Sequence, residues 1–333
     1  MHSCSHMKNL IGYKKIKDIL NSEYQIEVLN STPTKKGLIN HSYFIKTLKK
    51  KYVFRIYSHK TIEEILFEIR VMNIIRTHNL PVPEVLKNKS RKYTTSAILN
   101  KKKYYCILME FMDGKTLESS YFEMIKPMAE LQAQIHILIK KRVKARQGVD
   151  QVLKNWARWS KEEIEKIKPI LKKYKLEEIY LEKFYKTKKD LNNQLSNLLK
   201  IPYAECHNDF FGGNILIKNK QISGIVDFDN IETVPIVFDI ANTLKSWLLR
   251  NKPNKYKTIL DEYLTGYQKY RKLSKKELGI LPVMISARNF AVTNSLLSRK
   301  LIKGKDKLER TIEFDINWRK YLHKKPFHIY AMA

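Results

Sequence analysis

Hydrophobic spacing divides the chain into a strand-rich front and a helical remainder. Tyr43-Phe44-Ile45 and Tyr52-Val53-Phe54-Arg55-Ile56-Tyr57 are β-branched and aromatic runs, joined through Lys49-Lys50-Lys51 as a hairpin. Tyr24–Asn30 reads as an earlier strand, followed by a turn-like stretch from Ser31 to Gly37. Thr61-Ile62-Glu63-Glu64 has the form of a capping box and predicts a helix from about Ile62 to Thr77, with the stripe Ile62, Ile65, Leu66, Ile69 and Met72. Pro81-Val82-Pro83 closes that unit, and Tyr93–Leu99 and Lys103–Met112 read as two further strands. The front is therefore expected to be a five-stranded sheet with one helix.

Beyond Met112-Asp113-Gly114-Lys115 the spacing turns helical. Phe122 to about Lys140 is a long amphipathic segment. Residues 141–200 are charge-rich, with a capping box at Ser160-Lys161-Glu162-Glu163 and apolar Ile164, Ile167 and Leu171. Short strands return at Asn214–Ile217 and Ser223–Asp227. From Ile236 the chain reads as helix, with a third capping box at Ser274-Lys275-Lys276-Glu277. This is an α+β pattern without internal repeats, divided into residues 1–112 and 113–333.

A 43% hydrophobic content excludes disorder. No run of about 18 apolar residues marks a membrane span, and the first eight residues lack a signal-peptide core. Cys4, Cys106 and Cys206 are too few and too scattered for a disulfide framework or a zinc site, which points to the cytoplasm. The net charge of +31 comes from 51 Lys and 13 Arg spread over the whole chain. Nucleic-acid readers favour Arg and a clustered basic footprint, so no specific nucleic-acid partner and no membrane partner are expected. One stretch reverses the sign: residues 205–239 hold six carboxylates against two lysines. Gathered carboxylates repel unless a cation compensates, and a divalent metal is the natural one.

The chemistry concentrates there, in His207-Asn208-Asp209-Phe210-Phe211-Gly212-Gly213-Asn214 and in Asp227-Phe228-Asp229. Phosphoryl transfer needs a carboxylate near the attacking hydroxyl and oxygen ligands for Mg²⁺. Asp209 and Asn214 supply one carboxylate and one amide oxygen across a glycine-containing loop; Asp227, at the end of a hairpin strand, supplies another carboxylate. Read alone, Asp209 and Asn214 are turn formers and Asp227 a strand end.

His-x-Asp-x-x-x-x-Asn followed by Asp-Phe-Asp resembles the catalytic and metal-binding motifs of the aminoglycoside phosphotransferase / choline kinase family, which has a two-lobed protein-kinase-like fold. Other segments follow in the family's order. Gly37-Leu38-Ile39-Asn40-His41-Ser42-Tyr43-Phe44 resembles its nucleotide loop, in the version found in type II homoserine kinases. Tyr52–Arg55 resembles the strand bearing the phosphate-binding cation, and Leu108–Gly114 the hinge that holds adenine. Phe238-Asp239-Ile240-Ala241 resembles the helix start that braces the catalytic loop. The resemblance covers roughly residues 24–250.

It implies Asp209 as catalytic base and Asn214 and Asp227 as Mg²⁺ ligands, with Asp229 as a further candidate. Arg55 would contact the nucleotide phosphates and pair with Glu68. Gly37 and Asn40 would belong to the nucleotide loop, and backbone groups of Glu110 and Met112 would hold the adenine edge of ATP. The departures are Arg55 where protein kinases carry Lys, Asn208 where the family often has Gly, and a single glycine in the nucleotide loop. His207 reads as a hydrogen-bonding scaffold and Asp239 as a structural helix residue. Trp156 and Trp159, three apart on an expected helix, read as core or as a pocket wall. The expected activity is transfer of the γ-phosphoryl group of ATP to a hydroxyl of a small molecule: homoserine, an amino alcohol, a sugar or an aminoglycoside. The rivals are a Ser/Thr protein kinase, for which no Ala-Pro-Glu-terminated activation loop is visible, and a kinase-like scaffold with a basic nucleic-acid-binding surface. Oligomeric state is not legible.

Overall fold

The computed structural model describes residues 11–34, 40–99, 101–140, 161–198, 200–299, 304–325 and 327. Gly37, Trp156, Trp159 and Ser160, singled out in the sequence, lie outside them. The chain divides into two compact units: Met1–Lys115 with Leu216–Val226, and Thr116–Ile215 with Asp227–Ala333.

The first unit is built on an antiparallel sheet in the order β1-β2-β3-β5-β4: β1 Asn30–Pro33, β2 His41–Lys46, β3 Lys51–Tyr57, β4 Thr95–Leu99 and β5 Lys102–Glu110. Phe54, Ile56, Cys106 and Leu108 alternate inward from β3 and β5 and are fully buried. Helix α2 (Ile62–Arg76) begins at the expected capping box, with Thr61 accepting from the Glu64 N–H and the Glu64 carboxylate from the Thr61 N–H. The helix α1 (Tyr13–Tyr24) was not anticipated, although Ile16, Ile19 and Leu20 fall at i, i+3, i+4 and pack into the sheet core. Tyr24–Asn30 is accordingly not the strand: Gln25 turns left-handed (φ 56°) to end α1, and the first strand starts at Asn30. Its Pro33 is tolerated because β1 is an edge. A small sheet in the order β6-β8-β9 follows, from β6 (Lys115–Thr116), β8 (Ile215–Lys218) and β9 (Gln221–Ile225).

The second unit is helical: α3 Ile125–Lys140, α4 Lys161–Lys173, α5 Glu177–Asn192, α6 Leu195–Leu198, α7 Ile236–Arg250, α8 Tyr256–Tyr270, α9 Lys275–Ser298 and α10 Lys305–Lys324. Its two strands, β7 (Tyr203–Cys206) and β10 (Glu232–Pro235), pair antiparallel with Glu232 opposite Cys206. Every residue of α7 from Ile236 to Leu248 is buried, polar ones included. The capping box of α9 forms at Ser274 and Glu277. That helix is long and apolar enough to cross a membrane, but 67% of its apolar stretch is buried within the unit, as in a core helix.

Candidate active site

Strand β7 delivers the chain into a loop held from below by aromatic packing. His207 is 2% exposed, with its ring 4.6 Å from that of Phe228 and 5.9 Å from that of Phe210. Its Nδ1 accepts the Asp209 N–H at 3.3 Å, which fits the scaffold role read from the sequence. Asn208 adopts the left-handed conformation (φ 58°), and its Nδ2 donates to Asn230 O at 3.2 Å. That bond, the His207–Phe228 contact and the β7–β10 pairing set the loop bearing Asp209 beside the loop bearing Asp227. Asp227 is itself left-handed (φ 69°), a conformation that L-residues hold at a cost of order 1–3 kcal/mol and that recurs at functional sites.

Asn214 closes a 3₁₀ turn, and its Nδ2 donates to both the carbonyl and Oδ2 of Asp209, each at 3.0 Å. With the amide nitrogen so committed, Oδ1 is the end left for a cation. Gly212 is required at this turn, because a Cβ there would stand 2.3 Å from Leu117 O. Asn214 Oδ1 and the Asp227 carboxylate are hard oxygens of the kind that suits a divalent cation such as Mg²⁺, and Asp229 follows on the next 3₁₀ turn. The acidic stretch is therefore not one cluster. Asp209, Asp227 and Asp229 stand on the two loops, whereas Glu205 and Asp239 are buried at 3% and 1% exposure.

Asp239 belongs to a polar network that braces the loop. Its Oδ2 accepts from Gln132 Nε2 at 2.9 Å and lies 3.0 Å from His136 Nε2, both on α3. Burial works to raise the Asp239 pKa, but the hydrogen bonds from His136 and Gln132 and the fields of His136 and His207 outweigh it, so its pKa lies below the usual value. One turn on, Asn242 Nδ2 donates to Asn208 O and Thr243 Oγ1 to Phe210 O, at 2.6 and 2.7 Å. Arg288 on α9 donates to Asn242 Oδ1 (3.0 Å) and Asn208 O (3.3 Å). Motif reading singled out Asp239 but missed Gln132, His136, Asn242, Thr243 and Arg288. The available signal was polar residues on helix faces otherwise apolar. His136, Cys206 and Asp239 have ligand atoms within 4.8 Å of one another. Both ring nitrogens of His136 are engaged, Nδ1 with Tyr267 OH at 2.7 Å, and burial pushes the Cys206 thiol up, so the group serves packing rather than a metal.

In the first unit, Arg55 sits opposite Ser42 in the β2–β3 ladder and donates through Nε to its hydroxyl at 3.2 Å. Glu68, 1% exposed on α2, accepts from Tyr57 OH (2.9 Å) and from Lys60 Nζ (2.6 Å). Lys60 was not read as a site residue; nothing in its sequence position but the step before the Thr61 cap marks it. Asn40 is 8% exposed, and its Oδ1 accepts the Ser58 N–H at 3.1 Å. Glu110 ends β5 with Oε2 accepting from Arg76 Nη1 and from the Glu84 N–H, at 3.1 and 3.3 Å. Met112 follows against Gly224 of β9, where a Cβ would lie 3.0 Å from that of Met112.

A loop offering a carboxylate and an amide oxygen, next to a second carboxylate loop on a fold of this kind, marks the chain as a phosphotransferase. The phosphotransferase enzyme family matches residues 31–273, and the chain belongs to it. It is 23% identical over 266 residues to a homoserine kinase of Polaromonas naphthalenivorans (strain CJ2), covering 76% of this chain and 77% of that one. Among solved structures, a microcompartment-associated aminopropanol kinase superposes with a TM-score of 0.75 at 14% identity, over 94% of this chain and 98% of that one. The amicoumacin kinase hAmiN, in complex with AMP-PNP, Ca²⁺ and Ami, superposes with a TM-score of 0.71 at 16% identity, over 98% and 97%. The fold is protein-kinase-like, with the expected N-terminal antiparallel sheet and larger helical part.

Proposed function

We propose that the chain transfers the γ-phosphoryl group of ATP to the hydroxyl of a small metabolite of homoserine type. The observation that carries this reading is the Asp209–Asn214 pair, locked by two 3.0 Å hydrogen bonds and set beside the Asp227 loop. The similarity to a homoserine kinase over three quarters of the chain supports the acceptor class, and the AMP-PNP and Ca²⁺ bound by hAmiN support the nucleotide and a divalent cation.

Asp209 is proposed to orient the acceptor hydroxyl and take its proton as the oxygen attacks. Asn214 and Asp227 would hold Mg²⁺, with Asp229 in support. Bound there, Mg²⁺ would neutralise charge on the nucleotide phosphates. Arg55 is assigned to those phosphates, Glu68 to the support of the cations around it, Gly37 and Asn40 to the nucleotide loop, and backbone groups of Glu110 and Met112 to the adenine. Residues 1–112 would thus serve the nucleotide and 113–333 catalysis and the acceptor. Buried free thiols at Cys106 and Cys206 fit a reducing cytoplasm. No specific nucleic-acid or membrane partner enters this reading.

The test is ADP release with Mg-ATP against L-homoserine, choline, 3-amino-1-propanol, a sugar and an aminoglycoside. A rate no higher than without acceptor across the panel refutes the proposal.

A further inference from the structure

Lys245 occupies a position that packing does not explain. It lies in the middle of α7 and is 8% exposed, yet among the described residues its ammonium has no hydrogen bond and no ion pair. A buried charge is ordinarily paired, because desolvation costs several kcal/mol. Here the charged neighbours make matters worse. Burial first, then the fields of Arg288, Lys307 and Arg250, push its pKa well below the ordinary lysine value, and only Asp209 acts in the other direction. Lys307, in the first turn of α10, is likewise pushed down to about 8 by burial and by Arg250 and Arg310. Cations from three helices converge, and the carboxylate that offsets them is the proposed catalytic one.

The backbone frame fixes where this happens. Asn242 and Lys245 are three residues apart on α7 and share a face. Asn242 holds the carbonyl of Asn208, the residue before Asp209, and Arg288 holds the same carbonyl and the Asn242 side chain. Lys245 is thus one turn further along the face that meets the catalytic loop. Arg250, at the end of the helix, donates to Ser246 O at 2.9 Å and stacks 5.4 Å over the ring of Phe211 in that loop.

We propose that Lys245, flanked by Arg288 and Lys307, forms an oxyanion subsite beside Asp209 that holds a carboxylate carried by the phosphoryl acceptor. This deepens the kinase reading and rests on it. An entering carboxylate would pair with the Lys245 ammonium and relieve the repulsion among the three cations, so free energy withheld from the empty protein is recovered on binding. The same cluster is unfavourable to acceptors recognised through a positive charge alone, such as a quaternary ammonium. A phosphate oxygen of the nucleotide has the same chemistry, and the test separates the two sources.

L-Homoserine and 3-amino-1-propanol differ only by the carboxylate. The full-length chain, as wild type and as Lys245→Met, is assayed for ADP release with each at saturating Mg-ATP. The wild type should favour homoserine by about 100-fold in kcat/KM, the scale for losing one buried charge partner, and Lys245→Met should collapse that preference to within about threefold. The loss should fall on the acceptor KM. Equal use of the two compounds by the wild type, a preference for aminopropanol, or a loss in Lys245→Met that falls on the ATP KM overturns the subsite while leaving the kinase reading standing. If neither compound releases ADP, the kinase reading fails for this acceptor class. The subsite is then decided by calorimetric titration of L-homoserine: binding lost in Lys245→Met supports it, and equal or absent binding overturns it. Methionine keeps most of the lysine stem and removes an unpaired buried charge, so the melting temperature should hold or rise. Lys307→Gln, at a more open position, should also raise the homoserine KM, by a smaller factor.

Discussion

Replacing Thr243 with valine removes one hydroxyl from α7 and leaves shape and burial almost unchanged. That hydroxyl has three oxygens within reach: Phe210 O at 2.7 Å, Asp239 O at 3.1 Å and Gln132 Oε1 at 3.2 Å. It has a single proton. Gln132 Oε1 already receives the Tyr263 hydroxyl, and Asp239 O is the helix carbonyl four residues back, so Phe210 O has the best claim. In Thr243→Val the Phe210 carbonyl, adjacent to Asp209, loses this buried donor, at a cost of about 1–3 kcal/mol. Melting should fall by about 2–8 °C on that basis. Displacement of Asp209 should lower kcat by about 10–100-fold with little change in the ATP KM, since near-attack geometry is sensitive on the ångström scale. Thr243→Ser is the counter-test: it loses a buried methyl, worth about 1 kcal/mol, but keeps the donor. It should therefore melt lower than wild type while retaining kcat. Circular-dichroism melting and ADP-release kinetics on the two variants read both quantities. Wild-type kcat in Thr243→Val, or a kcat that follows melting temperature equally in both, would show that the brace does not position Asp209.

Three further outcomes are expected. Asp209→Asn and Asp227→Asn should both abolish phosphorylation, but fluorescent-nucleotide titration should find Mg-ATP binding retained in the first and weakened in the second; full turnover in either sinks the assignment. Arg55→Ala should raise the ATP KM and Arg55→Lys should keep part of the activity, because Lys preserves the charge but not the planar fork; a melting collapse with unchanged KM would make Arg55 structural. Lys307 has a folded pKa of about 8 against an ordinary 10.5. The unfolded chain therefore binds more protons between those values, so this lysine's cost is full below pH 8 and fades as pH rises toward 10.5. From pH 7.5 to 10, urea unfolding should show wild type gaining about 1–2 kcal/mol relative to Lys307→Met, after allowance for solvent screening; a constant difference refutes the shift.

How much of this was legible depended on whether the signal was local. Capping boxes at Thr61 and Ser274 predicted helix starts because both partners lie within one turn. Runs of β-branched and aromatic residues placed β2 and β3, and two further short runs placed β4 and β5, since strand composition is a local signal. Helix α1 was missed because a strand was assigned to the aromatic and β-branched residues after it, although its i, i+3, i+4 set was present. The Asp209–Asn214 pairing was readable from a five-residue spacing across glycine. The network that fixes that loop was not: Gln132, Asp239 and Tyr263 meet from α3, α7 and α8, and nothing short of the packed unit brings their side chains together.

The charge pattern shows the same limit in a sharper form. Along the sequence, 64 basic residues look evenly spread, and an even spread argues against a docking stripe. That inference concerns long-range fields on a surface, where charges more than about 10 Å apart are screened at ordinary salt. It says nothing about a few cations that folding removes from water. Lys245, Arg288 and Lys307 come from α7, α9 and α10, and in linear composition they are indistinguishable from the solvated lysines. Lys245 is buried and Arg288 and Lys307 are half-buried, so they are screened less than the exposed lysines, and on the proposed reading these three of 64 act on acceptor choice while the remainder act on solubility. A net charge of +31 therefore has two separable components. Salt should weaken any general attraction of anions to the surface. It should have less effect on a preference for a carboxylate held against Lys245, because a largely buried residue is screened less than a surface one. Measuring the homoserine-to-aminopropanol preference at low and high salt separates them: a ratio that survives while both kcat/KM values fall locates the selectivity at Lys245 and its neighbours, and a ratio that decays in parallel returns it to the surface field.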